Sequence, residues 1–428
     1  MRLFKGAGFT MDSELARMKR KFYLRRRDAD LFWSMWRVLK FILLFRILFG
    51  RAEIQIEKIE QMGLLAVKIA QMYAVRSDIL GVEKCMKLQA LFEQVTPISW
   101  EVVQGVLRAE APDSFWEEVV NIDHDHLATA SLGQVHLAEL RSGEKVVVKV
   151  VKPEATLDFE SDLKAVRMII RAAVTFYPKL KRLADPMGTI ETIARLTRKE
   201  LDLLNESIGA ERMRELRKRG QNLPHLQRLH FPKYYNSISS KQVLVSEWIG
   251  AESVRSGLDQ NSFGYDNLLS LFRIHGFYMF LHGEFHGDLH PGNVFFEGDK
   301  FWFIDNANVE VVPSDFTQGL LRFLAQLGAR DFSGAARVMQ EISKNPPKDQ
   351  DKYYREFAEL YSGFQSGVTS LTTQMMQTVK LCVHAGMEFP EGAFPVIKSL
   401  MYLDGMALKC NPEAKLLEDV LHYMDDLT

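Results

Sequence analysis

The chain has 428 residues, of which 47% are apolar and 25% charged, with a net charge of −1. The apolar and charged shares are those of an ordinary globular protein, so disorder is not the default. The length exceeds one small core at roughly 150 residues per domain, and the balanced charge gives no footprint for a nucleic-acid partner. The three cysteines (Cys85, Cys382 and Cys410) are widely spaced with no CxxC, which fits neither a disulfide framework nor a zinc site and points to a reducing, cytoplasmic compartment.

The chain opens with MRLFKGAGFT, which has no apolar h-region of a secretory signal. Residues 1–50 read as a basic, amphipathic arm: Arg17, Lys19, Arg20, Lys21, Arg25, Arg26 and Arg27 run into the apolar stretch 31–50. That stretch has about the ~20 residues of a membrane span. Arg37, Lys40 and Arg46 interrupt it, and each central cation costs roughly 2.5–3.5 kcal/mol on insertion. Two readings stand: a helix in the interface of an anionic membrane, or a helix packed on the protein's own core with a solvated basic face. Residues 51–110 carry apolar positions at helical spacing.

Residues 111–250 change texture. From about Leu127, ATASLGQVHLAEL and EKVVVKVVKP read as strands around a turn at Arg141, Ser142 and Gly143; a long helical stretch spans roughly 157–217, and residues 241–249 return to strand. Residues 251–428 are mostly helical, broken by a strand–loop–strand segment at 284–305.

That segment holds the strongest chemical signal, FHGDLHPGNVFF at 285–296. Asp288 and Asn293 have the spacing of a kinase catalytic loop, with His286 in place of its histidine and Gly287 in place of its arginine. A carboxylate there orients or deprotonates the acceptor, and the amide oxygen holds a magnesium ion that bridges phosphates. Pro291 and Gly292 favour the tight loop this needs. Asp305, after the apolar strand FWFI, stands where the second magnesium ligand belongs. It reads Asp305-Asn306-Ala307 rather than D-F-G, which leaves metal binding intact and puts the associated conformational switch in doubt.

Upstream, Lys149 in VVVKVV matches the lysine that contacts the α- and β-phosphates, with Glu206 on a following helix as its expected partner. Where glycines should cradle phosphate, the chain reads Ala128, Thr129, Ala130 and Ser131. Alanines restrict the approach of backbone amides, so nucleotide is held differently there, or ADP and ATP are ranked differently. The backbone of Glu247 and Ile249, at the end of VLVSEWIG, is the candidate for the adenine edge.

These residues resemble the UbiB/AarF family of atypical kinases and ATPases. ATAS matches its alanine-rich loop, Lys68-Ile69-Ala70-Gln71 its K-x-G-Q motif, Glu200-Leu201-Asp202 its E-x-D motif and HGDLHPGN its catalytic loop; MYLDGMALKCNP at 401–412 is similar to its C-terminal segment. The resemblance covers roughly residues 55–415 and implies an α+β, two-lobed protein-kinase-like fold. In it, 51–110 is a helical extension carrying KIAQ, 111–250 an N-lobe with a helical insertion, and 251–428 a helical C-lobe. It further implies that the extension covers the pocket, with Lys68 and Gln71 reaching in and Glu200 and Asp202 as acidic partners. Ala70 departs from the motif's glycine; a helix accepts Ala better by about 1 kcal/mol.

The expected cofactors are ATP or ADP and Mg2+. The implied function is an atypical kinase or ATPase assisting isoprenoid-quinone (ubiquinone) biosynthesis or lipid handling. It would be cytoplasmic or peripheral at the inner face of a membrane, with an anionic surface or isoprenoid lipid as partner of the arm. The alternatives are a small-molecule phosphotransferase, which shares the HGD-x-x-x-x-N loop, and a nucleotide-binding pseudokinase scaffold.

Overall fold

The computed structural model describes residues 30–50, 53–74, 77–88, 91, 97–130, 132–177, 186–364, 370–390 and 393–420. The basic block at 17–27 and Ser131 lie outside them.

Helix α1 (Asp30–Phe49) runs through its three interrupting cations. Phe41, Leu44, Ile47 and Leu48 recur at helical spacing and are buried. At ~1.5–3 kcal/mol each, they contribute on the order of 10 kcal/mol before ordering entropy is subtracted. Two of the cations are absorbed by ion pairing: Arg37 Nη1 lies 2.5 Å and Lys40 Nζ 2.6 Å from the two carboxylate oxygens of Asp162. One face of α1 therefore packs on the protein itself. The opposite face leaves Met35, Trp36, Leu39, Ile42, Leu43 and Phe49 exposed. Among the described residues no helix is long and apolar enough to cross a membrane.

Helices α2 (Ile56–Gln61), α3 (Leu64–Ala74), α4 (Ser77–Leu80) and α5 (Val82–Leu88) follow, then α6 (Trp100–Glu110) and α7 (Asp113–Glu118). Strands β1 (Val119–Thr129), β2 (Gly133–Leu140) and β3 (Lys145–Val151) form an antiparallel sheet completed by β5 (Val243–Glu247), in the order β1-β2-β3-β5. The expected turn closes the β2–β3 hairpin, with Gly143 at φ +84°. β1 starts eight residues before Leu127, where the alternation first becomes visible. It is an edge strand of mostly exposed residues, so NIDHDH carries no apolar alternation to reveal it. In β3 the period of two buries Val146, Val148 and Val150 on one face and turns Lys149 to the other.

Among the described residues the long helical stretch holds three helices, α8 (Pro153–Phe176), α9 (Pro186–Glu200) and α10 (Leu204–Arg219). Pro153 and Pro186 take first-turn positions, where a missing N–H costs nothing. A turn at 201–203 separates α9 from α10, where Asp202 Oδ1 accepts from Leu204 N at 3.3 Å. β4 (Leu229–His230) and β5 (Val243–Glu247) come next. A second sheet, ordered β4-β9-β8-β6, is made with β6 (Glu252–Ser253), β8 (Val294–Glu297) and β9 (Lys300–Phe303), and β7 (Glu284–His286) pairs with β10 (Val309–Val311). The helices of this half are α11 (Val254–Asp259), α12 (Tyr265–Gly276), α13 (Ser314–Gly328), α14 (Phe332–Glu341), α15 (Gln350–Phe364), α16 (Leu371–His384), α17 (Ala393–Cys410) and α18 (Leu416–Val420).

Three principal apolar cores result. One lies under the first sheet, with Val103, Phe115, Val148 and Val245. The largest fills the helical half. The third joins α1 and α3 to α8 and α9, so the N-terminal helices and the helices inserted after β3 share one core. Ala70, fully buried, sits within it. All three cysteines are free thiols.

Candidate active site

The cleft is built from β3, α10 and the loops around β7–β9. Lys149, on the cleft face of β3, places Nζ 2.5 Å from Glu206 Oε1 in the first turns of α10 and 3.2 Å from Asp305 Oδ1. Two carboxylates thus share one ammonium. Burial pushes Glu206 upward and Asp305 adds to it, against the opposing pull of Lys149. Burial would also raise Asp305, but Lys149 outweighs it and holds that carboxyl below its ordinary value. Lys149 is raised because its two carboxylates outweigh the cost of burying it.

Asp305 adopts φ +56°, a left-handed backbone that costs a non-glycine residue on the order of 1–3 kcal/mol. Asn306 after it is fully buried, and its Nδ2 donates to the Phe303 carbonyl at 2.9 Å. A hydrogen-bonded turn stands where an apolar D-F-G side chain would pack.

In the loop after β7, Asn293 Nδ2 donates to the Asp288 carbonyl at 3.0 Å, and the Ile304 N–H donates to the Asn293 carbonyl at 3.0 Å. His286 is fully buried; its Nε2 lies 2.9 Å from the Ile304 carbonyl and its Nδ1 accepts from Asp288 N at 3.1 Å. The histidine ties the catalytic loop to the strand leading to Asp305. With its Nδ2 committed, the Asn293 amide leaves Oδ1 for a cation; together with the Asp305 carboxylate this is a hard-oxygen donor set, which suits magnesium.

The Asp288 carboxylate is held by α17: Lys398 Nζ stands 2.6 Å and Tyr402 OH 3.2 Å from Oδ1. Burial alone would raise this carboxyl; Lys398, with His290 and Lys68, holds it well below the usual carboxylate range. Asp288 borders a cavity also lined by Lys68, Gln71, Glu200, Glu310 and Lys398. Lys68 of α3 is ion-paired with Glu200 of α9, and Asn308 Nδ2 donates to the other Glu200 oxygen at 2.5 Å.

Other residues singled out in the sequence sit apart. Gln71 reaches the cavity wall but donates to the Leu91 carbonyl at 3.0 Å. Asp202 faces Lys241 at 3.4 Å and does not line the cavity. Ala128 and Thr129 pair with Val135 and Gln134, and Ala130 N donates to the Gly133 carbonyl at 2.8 Å, closing a tight hairpin. A Cβ on Gly133 would fall 2.7 Å from the Val150 carbonyl oxygen, so glycine is needed for the loop to lie against β3. The Glu247 N–H, expected at the adenine edge, is taken by the Lys233 carbonyl at 2.8 Å. Lys398, Asn308 and Glu310 were not signalled by sequence, and Tyr402 only as part of the segment at 401–412: Lys398 is 110 residues from Asp288, with no motif of its own.

Residues 90–339 match the ABC1 atypical kinase-like domain family. A "Probable protein kinase UbiB" from Aeromonas hydrophila is 24% identical over 86% of this chain and 68% of its own length. An "ABC1 family protein" of Schizosaccharomyces pombe is 29% identical over 54% of this chain and 43% of its own. Among solved structures, the Rv3197–erythromycin complex from Mycobacterium tuberculosis superposes with a TM-score of 0.54 at 18% identity, covering 96% of this chain and 97% of that one. It shares the fold.

Proposed function

The chain belongs to the ABC1 atypical kinase-like family, and from that premise we propose that it binds Mg-ATP between β3 and the catalytic loop and transfers its γ-phosphoryl group. The observation that carries this reading is the meeting of Lys149, Glu206 and Asp305 within 3.2 Å of one ammonium. These groups come from three separate stretches of chain, and a strand lysine paired with a helix glutamate beside a metal-binding aspartate is what kinases use for phosphoryl transfer.

Each residue has a role in this reading. Lys149, steadied by Glu206, binds the α- and β-phosphates. Asn293 and Asp305 hold Mg2+, which neutralises phosphate charge. Asp288 orients the acceptor and takes its proton. Ala128, Thr129 and Ala130 lie over the phosphates, and Ser131, outside the described residues, is their proposed hydroxyl neighbour. The Lys68–Glu200 pair ties α3 to α9 beside Asp288, walling the acceptor side. That supports water, a metabolite or a lipid head as acceptor over a protein segment.

We place the activity in isoprenoid-quinone biosynthesis or lipid handling, peripheral at the inner face of a membrane. Family kinship and the exposed apolar face of α1 support this. The test is ATP turnover by the full chain with and without anionic liposomes, alongside Asp288→Asn. Slow, magnesium-dependent hydrolysis that liposomes stimulate and Asp288→Asn abolishes is expected. Failure of the intact protein to bind Mg-nucleotide in a thermal-shift assay ends the proposal.

A further inference from the structure

We propose that Lys398, on α17, is a catalytic residue that binds the terminal phosphoryl group of ATP; the assignment rests on the Mg-ATP reading above. Three observations lead to it. First, the loop DLHPGN at 288–293 contains no lysine or arginine, so it brings no fixed cation of its own to the transferring phosphate. Second, the reading above already assigns Lys149 to the α- and β-phosphates, and Lys68 ties α3 to Glu200 of α9. Third, Lys398 Nζ already stands 2.6 Å from the Asp288 carboxylate and 3.5 Å from the Gly287 carbonyl, and its side chain lines the same cavity.

Its placement is fixed from within α17. Tyr402, one turn on, donates to the same Asp288 oxygen, and its ring lies 5.5 Å from the Lys398 ammonium. Pro395, one turn before, forms part of the cavity wall. The cavity sets Asp288, Glu200 and Glu310 against Lys68 and Lys398, with Arg195 and Lys199 also acting on Glu310. A triphosphate adds further negative charge, and a cation held beside the acceptor's own carboxylate offsets it where charge develops. The alanine-rich loop offers phosphate fewer close backbone amides than a glycine loop, which raises the demand for such a cation.

In the transfer step the acceptor oxygen bonds to the γ-phosphorus as the bond from that phosphorus to the β–γ bridging oxygen breaks. The electron pair leaves on ADP, and the acceptor's proton passes to Asp288. Lys398 keeps its own protons throughout, bridging Asp288 and the γ-oxygens.

The role is read by comparing nucleotides that differ only in the γ-phosphate. Binding of Mg-ADP and of a non-hydrolysable Mg-ATP analogue would be measured on the full chain and on Lys398→Met, Lys398→Arg and Tyr402→Phe. Lys398→Met is expected to lose about tenfold in affinity for the triphosphate, the size of one charge-assisted hydrogen bond, and less than about twofold for ADP. Lys398→Arg is expected to regain most of the loss, and retained ADP binding reports that the variants are folded. Equal losses for both nucleotides, or none, would overturn the assignment and leave Lys398 as a structural partner of Asp288. If the unaltered chain binds neither nucleotide, the Mg-ATP reading itself fails and takes this assignment with it.

Discussion

Gly209 of α10 and Asn306 stand backbone to backbone: a Cβ on Gly209 would fall 1.8 Å from the Asn306 carbonyl oxygen. The helix that carries Glu206 can lie against the segment that carries Asp305 only because position 209 has no side chain. Gly209→Ala must therefore separate the two, although alanine favours the helix itself by about 1 kcal/mol. We expect a net loss of about 1–3 kcal/mol in urea unfolding, the usual size of overpacking in a filled core. Weaker Mg-ADP binding should accompany it as Asp305 is displaced. Unchanged stability and binding would mean that the close approach is not needed.

The shared ammonium of Lys149 makes a second prediction. Lys149→Met leaves Glu206 and Asp305 facing one another without a cation. Breaking a buried pair this way costs roughly 3–5 kcal/mol. The double variant Lys149→Met with Glu206→Leu removes one stranded carboxylate and should recover a large part of that stability while leaving nucleotide binding lost. A double-mutant cycle read by chemical denaturation measures the coupling; additive effects would contradict it.

The outward face of α1 predicts lipid binding separable from folding. Trp36 and Leu39 are more than half exposed, so Trp36→Glu with Leu39→Glu should move the thermal midpoint little. Co-sedimentation with anionic vesicles should fall several-fold, because apolar insertion and charge attraction act together at an interface. Equal vesicle binding by variant and parent would assign the stripe to another partner.

His275 predicts a pH dependence. It is fully buried against Phe285 and Phe303, and burial lowers its pKa to about 3. The unfolded chain protonates this ring near pH ~6.5. Between those values the unfolded state binds the extra proton, so acidification destabilises the fold, by about 1.4 kcal/mol per pH unit from this residue. Neither ring nitrogen has a hydrogen-bond partner among the described residues, so His275→Phe should keep stability at pH 7 and flatten the slope between pH 6 and 4 by about that amount. Urea midpoints across that range give the comparison; parallel slopes would show that the ring is charged in the folded protein.

The residues legible in the sequence are those whose geometry is fixed by a few neighbours. Asp288 and Asn293 fall in one loop because Pro291 and Gly292 allow it, and Lys149 faces the cleft because a strand alternates sides. The kinase-like fold class followed from these motifs in order, and the family match agrees with it. Less legible was β1, whose exposed edge position removes the apolar alternation that marks a strand. So was the break at 201–203 in the helical stretch after β3, because periodicity continues across that short turn.

Chain order and local chemistry alone therefore determined the family, the fold class and most of the groups now gathered around one cleft. Folding decided what those groups answer to. It brought Lys398 and Tyr402 onto Asp288 across 110 and 114 residues of chain, and gave α1 one buried face and one exposed one. These are contacts between distant segments, set by how helices pack on shared cores, and no pattern of nearby residues encodes them.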